Sequence, residues 1–176
     1  MIWTPTAIAG VLTGTPEIME DERGWFTRVY CRQALADAGI DFVPSQISVS
    51  HNHCAGTVRG MHYQLPPAEE RKLIRCIAGR VYDVVVDVRR TSSTHQRWVA
   101  VELDVDTGNA LFVPAGVAHG FFALSDHARL EYMIDVPYAA EHAHGVRWND
   151  PALAISWPGE PAVISERDRA WPDYGG

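Results

Sequence analysis

The chain has 176 residues, with 15 Lys and Arg against 22 Asp and Glu, a formal net charge of −7 at pH 7. That balance argues against a surface built to grip nucleic acid or an anionic membrane. Hydrophobic residues make up 47%, which excludes global disorder, and no apolar run approaches the roughly 18 residues of a membrane helix.

No Lys or Arg precedes Arg23, and Glu17 lies within this segment, so no secretory leader is expected. The cysteines are Cys31, Cys54 and Cys76. They are odd in number and form no CxxC spacing, which predicts free thiols in a reducing cytoplasm. No linker-like stretch or internal repeat breaks the chain. The expectation is one acidic domain over residues 1–176.

In chain order, the pattern is one of short strands separated by turn residues. Trp25 to Tyr30 follows the turn-like Asp21-Glu22-Arg23-Gly24, and Arg32 to Ala38, ending at Gly39, is the one helical stretch. Gln46 to Ser50 alternates, and Thr57 to Gln64 follows Gly56. Leu73 to Ile77 and Val81 to Val88 flank Ala78-Gly79-Arg80, which predicts a hairpin with Val84-Val85-Val86 buried. Further strands are predicted over Arg97 to Leu103, Ala110 to Val113, Gly120 to Leu124 and Ala128 to Val136. This spacing predicts an all-β sandwich or jelly roll. The tail, 157–176, is expected to wrap it.

Four groups of polar residues could carry chemistry. His51, His53, His62 and His119, with Asn52 between the first two, are candidate metal ligands, because imidazole suits zinc and iron. The run from Gly108 through Pro114 and Gly116 to His119 has the spacing of the second cupin motif, although Ala123 stands where Asn is expected. The first motif is missing, since no Glu follows His53 within a few residues. Exposed loop residues are the preferred reading for His51 and His53.

The second group is Arg59-Gly60-Met61-His62-Tyr63-Gln64, with Lys72 beyond it. On a regular strand Arg59 and His62 face opposite ways, and a bulge at Gly60 would bring them together. An inward His can act as a base at neutral pH, and nearby cations stabilise an oxyanion or phosphate. From spacing alone, a structural histidine with Arg and Lys on the solvent face is the preferred reading. Tyr132 and Tyr138, six residues apart, can simply pack, or one can donate a proton. Ser165-Glu166-Arg167-Asp168 has the look of a solvated charged run.

Taken together, these stretches resemble the dTDP-4-dehydrorhamnose 3,5-epimerase family. The resemblance is carried by Asp21-Glu22-Arg23-Gly24-Trp25-Phe26, Arg59-Gly60-Met61-His62-Tyr63-Gln64 and Lys72-Leu73-Ile74-Arg75-Cys76. It continues through Asp83 to Arg89, Pro114-Ala115-Gly116-Val117-Ala118-His119-Gly120-Phe121, Trp148-Asn149-Asp150-Pro151 and Ser165 to Asp168. These blocks follow the family's order from about residue 20 to the end.

The resemblance implies a cupin-type jelly roll with one or two short helices, and a catalytic set of His62, Asp168, Tyr132 and Lys72. His62 would be the base held by Asp168, Tyr132 the acid on the opposite face of the sugar, and Lys72 the cation near the C4 ketone oxygen. Arg23, Arg59, His119 and Arg167 would bind substrate, with Phe26 and Gln46 near the nucleotide and Ser48 and Tyr138 in the same binding set. It implies no metal and no organic cofactor, a nucleotide-diphosphate sugar as partner, and a homodimer exchanging its N-terminal segment, residues 1–30. The chemistry is self-consistent: a 4-ketone acidifies the C3 and C5 hydrogens, so a base and an acid suffice to invert those centres. A nearby Lys⁺ would also depress the Tyr132 pKa.

Departures from the family pattern are Arg28 and Ala143 where Glu is usual, Ser48 where Asn is usual, and one extra residue before Gly56. They fall among substrate-binding positions. The alternatives are inversion at C3 or C5 alone on a related dTDP-, CDP- or GDP-sugar, a metal-dependent cupin, and a non-catalytic sugar-nucleotide-binding cupin.

Overall fold

A computed structural model describes residues 1–175. The chain runs through β1 (Ile2–Pro5), β2 (Leu12–Thr15), β3 (Ile18–Asp21), β4 (Gly24–Thr27), α1 (Arg32–Asp37), β5 (Gln46–His51), β6 (Thr57–Gln64), β7 (Lys72–Ala78) and β8 (Arg80–Asp87). It continues with β9 (Trp98–Asp104), β10 (Ala110–Val113), β11 (Val117–Ala123), β12 (Arg129–Ile134), a 3₁₀ turn (Ala140–His142), β13 (Ala143–Gly145), β14 (Val163–Ile164) and α2 (Glu166–Arg169).

Two sheets face one another. The first has the order β1-β2-β10-β7-β12-β5, and the second β13-β6-β11-β8-β9 with β14 added to β6. Ile74, Leu111, Leu130, Val85, Leu103 and Phe121 fill the space between them. The outer faces are covered as well. Leu35 of α1 and Phe42 pack with Leu73, Phe112 and Met133 on the first sheet, while Leu153, Ile155, Trp157 and Tyr174 cover Val84, Val86 and Ala118 on the second. Val84, Val85 and Val86 are therefore all buried, as a strand covered on both faces requires.

The expected hairpin between Leu73–Ile77 and Val81–Val88 does not form. β7 pairs with β10 and β12, whereas β8 pairs with β9 and β11. The chain instead crosses from one sheet to the other at Gly79, whose φ is +68°. A short turn can join facing sheets as readily as neighbouring strands, and a period-two pattern does not distinguish the two cases. The strand expected over Trp25–Tyr30 ends at Thr27, in a small hairpin with β3. Cys31, Cys54 and Cys76 are free thiols. Among the described residues, no helix is long and apolar enough to cross a membrane.

The tail runs along the second sheet. β14 pairs in parallel with β6 through Val163↔Thr57 and Ile164↔Val58. Ser165 then caps α2, its Oγ accepting the Asp168 N–H at 3.1 Å.

Candidate active site

The site is built on β6. His119 stands opposite His62 and Phe121 opposite Arg59, so Gly60 and Met61 together face Gly120. This is the bulge anticipated from the sequence. Gly60 has φ +135°, and a Cβ there would fall 2.5 Å from the Gly120 Cα, so no larger residue fits. The extra residue brings Arg59 and His62 to one face, where both line a cleft of about 280 Å³. Lys72, His119, Tyr132, Tyr138 and Arg167 line the same cleft.

The walls belong to different sheets. Arg59 and His62 come from β6 and His119 from β11 in the second sheet, while Lys72 comes from β7 and Tyr132 from β12 in the first. His62 Nε2 lies 2.6 Å from Asp168 Oδ1, and the other carboxylate oxygen accepts the Gly60 N–H at 3.3 Å. Burial raises the Asp168 pKa, but the hydrogen bond and charge of His62, with the Gly60 and Ser165 contacts, more than offset this and hold it below its usual value. Asp168 is 4% exposed, so the charged run around it is not simply a solvated surface.

The Tyr132 hydroxyl is 3.2 Å from Ser50 Oγ. Burial pushes its pKa well up, with the Ser50 hydrogen bond and the Arg59 charge pulling the other way. This corrects the expectation that Lys72 would depress it. The Lys72 ammonium is paired with Glu70 Oε1 at 2.7 Å, both side chains being more than nine-tenths buried. His119 Nε2 is held 2.8 Å from Asp83 Oδ2. The Asp83 carboxyl is pushed up by burial, against the pull of His119 and Lys72.

Arg59 is fixed by Asn52 Oδ1 at 2.9 Å and by the His51 carbonyl at 3.2 Å. Arg167 lies over the Trp171 ring, 5.1 Å from its centroid. The remaining expected residues stand elsewhere. Gln46 donates to the Val136 carbonyl, Ser48 is paired across the ladder with Tyr132, and Arg23 and Phe26 are on the β3–β4 hairpin, where Arg23 pairs with Asp21. Within one chain these four do not line the cleft.

Sequence reasoning missed Ser50, Glu70 and Asp83, and it grouped Asn52 with the candidate metal ligands, whereas its Oδ1 accepts from Arg59. Asp83 did carry a signal, since a carboxylate opening a buried Val run requires a partner. Glu70 was hidden in the charged run Glu69-Glu70-Arg71-Lys72.

A family profile described as dTDP-4-dehydrorhamnose 3,5-epimerase matches residues 5–175. The chain belongs to this family. A dTDP-4-dehydrorhamnose 3,5-epimerase from Sinorhizobium fredii is 41% identical over 177 residues, covering 98% of this chain and 89% of that protein. The crystal structure of the Bacillus anthracis dTDP-4-dehydrorhamnose 3,5-epimerase, with TDP and PPi bound, superposes with a TM-score of 0.95 at 38% identity, covering 98% of each chain. A 3'-monoepimerase from Streptomyces bikiniensis, in complex with dTDP-quinovose, gives a TM-score of 0.90 at 35% identity, over 96% of this chain and 86% of that one. The two-sheet sandwich is the cupin-type jelly roll of these epimerases.

Proposed function

We propose that the protein epimerises dTDP-4-dehydro-6-deoxy-D-glucose, inverting C3 and C5 next to the C4 ketone. The observation that carries this reading is that His62, backed by Asp168, and Tyr132 line one cleft from opposite sheets. The TDP and PPi bound by the Bacillus anthracis relative support a dTDP-sugar as the ligand.

The chemistry then runs as follows. The Asp168 carboxylate accepts a hydrogen bond from His62 Nε2, which leaves Nδ1 as the base. Nδ1 takes the proton from C3 or C5, and the C–H electron pair moves onto the ketone oxygen as an enolate. The Lys72 ammonium stabilises that oxygen. Tyr132, kept protonated by its burial, delivers a proton to the opposite face, and exchange with solvent resets both groups.

Arg59 and Arg167 supply positive charge for the diphosphate, and His119, held by Asp83, supplies a hydrogen bond. Tyr138 lies at the cleft as a further substrate contact.

The working unit in this reading is a homodimer. Ile18, Met19, Trp25 and Phe26 on the β3–β4 hairpin are exposed, as are Ile47 and Val49 on the edge strand β5. An apolar hairpin and an open sheet edge are complementary surfaces. Of the segment 1–30, β1 and β2 belong to the chain's own first sheet beside β10, which narrows the expected exchange to the β3–β4 hairpin; its reach across the dimer would carry Arg23 and Phe26 to the partner's cleft, beside its Gln46 and Ser48.

Incubation with the substrate in deuterated water tests the activity. Mass spectrometry of the recovered sugar nucleotide should show a gain of two deuterons. A gain of one would make the protein a mono-epimerase, and no gain would overturn the reading.

A further inference from the structure

Three of the histidines outside the cleft cluster together. His51 ends β5, His53 lies in the connection to β6, and His127 sits in the turn between β11 and β12. Each offers a ring nitrogen, and these nitrogens all lie within 4.8 Å of one another. The His51 ring centroid is 4.9 Å from that of His53 and 5.7 Å from that of His127. We infer that these three imidazoles form a surface site for a first-row divalent transition-metal ion, zinc or copper, distinct from the cleft and taking no part in the proton transfers.

The backbone under the cluster is tied down from both sides. Asn52, buried between His51 and His53, donates its N–H and its Nδ2 to the Ala128 carbonyl at 2.9 and 3.0 Å. The His127 N–H donates to the His53 carbonyl at 3.3 Å, and Asp126 Oδ1 accepts the Ala55 N–H at 2.8 Å. His127 itself has φ +58°, a left-handed conformation uncommon outside glycine. Two loops distant in sequence thus present their imidazoles at a fixed separation.

The rings themselves are uncommitted. Among the described residues, the histidine rings with hydrogen-bonded partners are those of His62, His95 and His119. Three nitrogens bound tetrahedrally at zinc–nitrogen distances of about 2.0–2.1 Å stand about 3.4 Å apart. Closing from within 4.8 Å needs only rotation of exposed side chains. A metal binds the neutral imidazole. Arg129, opposite His51 in the ladder, and Arg59, whose guanidinium donates to the His51 carbonyl at 3.2 Å, are cations that oppose an ion here. An all-imidazole donor set selects zinc or copper over magnesium or calcium, which prefer oxygen. Water would complete the coordination.

The test uses the full chain free of any histidine tag, stripped with chelator and titrated calorimetrically with zinc chloride. One ion per chain is expected. His53→Ala and His127→Ala should each weaken binding at least about tenfold, with circular dichroism unchanged, whereas Cys54→Ser should bind as the parent does. Nitrogen NMR of the unmodified chain, with and without zinc, gives a readout independent of any variant: the three rings should shift. Absence of saturable binding, equal affinity in a His53→Ala/His127→Ala double variant, or loss of binding on Cys54→Ser would overturn the assignment.

Discussion

Asp168 lies 106 residues beyond His62 in the chain, yet its Oδ1 is 2.6 Å from His62 Nε2. The contact depends on two local devices. Ser165 starts the short helix that turns Asp168 inward, and the bulge at Gly60 turns His62 to meet it. The carboxylate also accepts the Gly60 N–H, so the strand that carries the histidine helps to fix the residue that orients it.

Removing the Tyr132 hydroxyl separates proton removal from inversion. In Tyr132→Phe the enolate still forms, and with no acid on the far face it takes a proton back from the His62 side. We expect substrate hydrogens to exchange with deuterated water while product formation falls by about 10²-fold or more. Normal product formation by this variant would remove Tyr132 from the mechanism.

The buried Glu70–Lys72 pair gives a prediction about stability. Glu70→Gln and Lys72→Met each leave an uncompensated buried charge, and each should destabilise by about 3–5 kcal/mol. The double variant removes both charges and should be clearly more stable than the sum of the single effects. Urea melts of the four proteins decide it, and additive losses would mean that the pair is not coupled.

Asp87 should make stability fall in acid. Burial pushes its carboxyl up, but hydrogen bonds from Arg89, Ser92 and Thr94 outweigh this and hold it at about 2. A pKa below the unfolded value of about 3.9 means that its contribution is complete above that pH and is lost as pH falls towards 2. The loss amounts to about 2 kcal/mol. Denaturant melts of the parent and Asp87→Asn should therefore differ by more near pH 7 than near pH 2.5. An equal difference at both would contradict the assignment.

How much of this was legible in the sequence depends on how local each signal is. β6, β10 and α1 follow directly from alternation, Gly placement and helical spacing. The bulge was legible too, because Gly60 sits between two residues that each need the same face. The partner sheets of β7 and β8 were not, since which strand lies beside which depends on contacts distant in sequence. For the same reason Ser165–Asp168 read as surface from its charges alone, and only the family resemblance connected it to His62. Ser50 and Glu70 have no local pattern that marks them; they acquire meaning from Tyr132 and Lys72, which the fold places beside them.

The proposed reach of the β3–β4 hairpin into the partner's cleft predicts complementation between inactive chains. Arg23→Ala would damage the partner's cleft, and His62→Ala its own. In a mixed dimer one cleft then has both His62 and Arg23. Co-expression of the two variants should restore about a quarter of the parent activity, given random pairing of two-fold dimers. Activity no greater than the weighted sum of the separate variants would show that Arg23 does not act across subunits.

The most direct test of the central claim is proton NMR of dTDP-4-dehydro-6-deoxy-D-glucose in deuterated water with the parent, His62→Ala and Asp168→Asn proteins. With the parent, the C3 and C5 proton signals should both disappear as the inverted product forms. With His62→Ala both should persist, and with Asp168→Asn exchange should slow by about 10²–10⁴-fold. Undiminished loss of either signal with His62→Ala would contradict the assignment of that histidine, paired with Asp168, as the base.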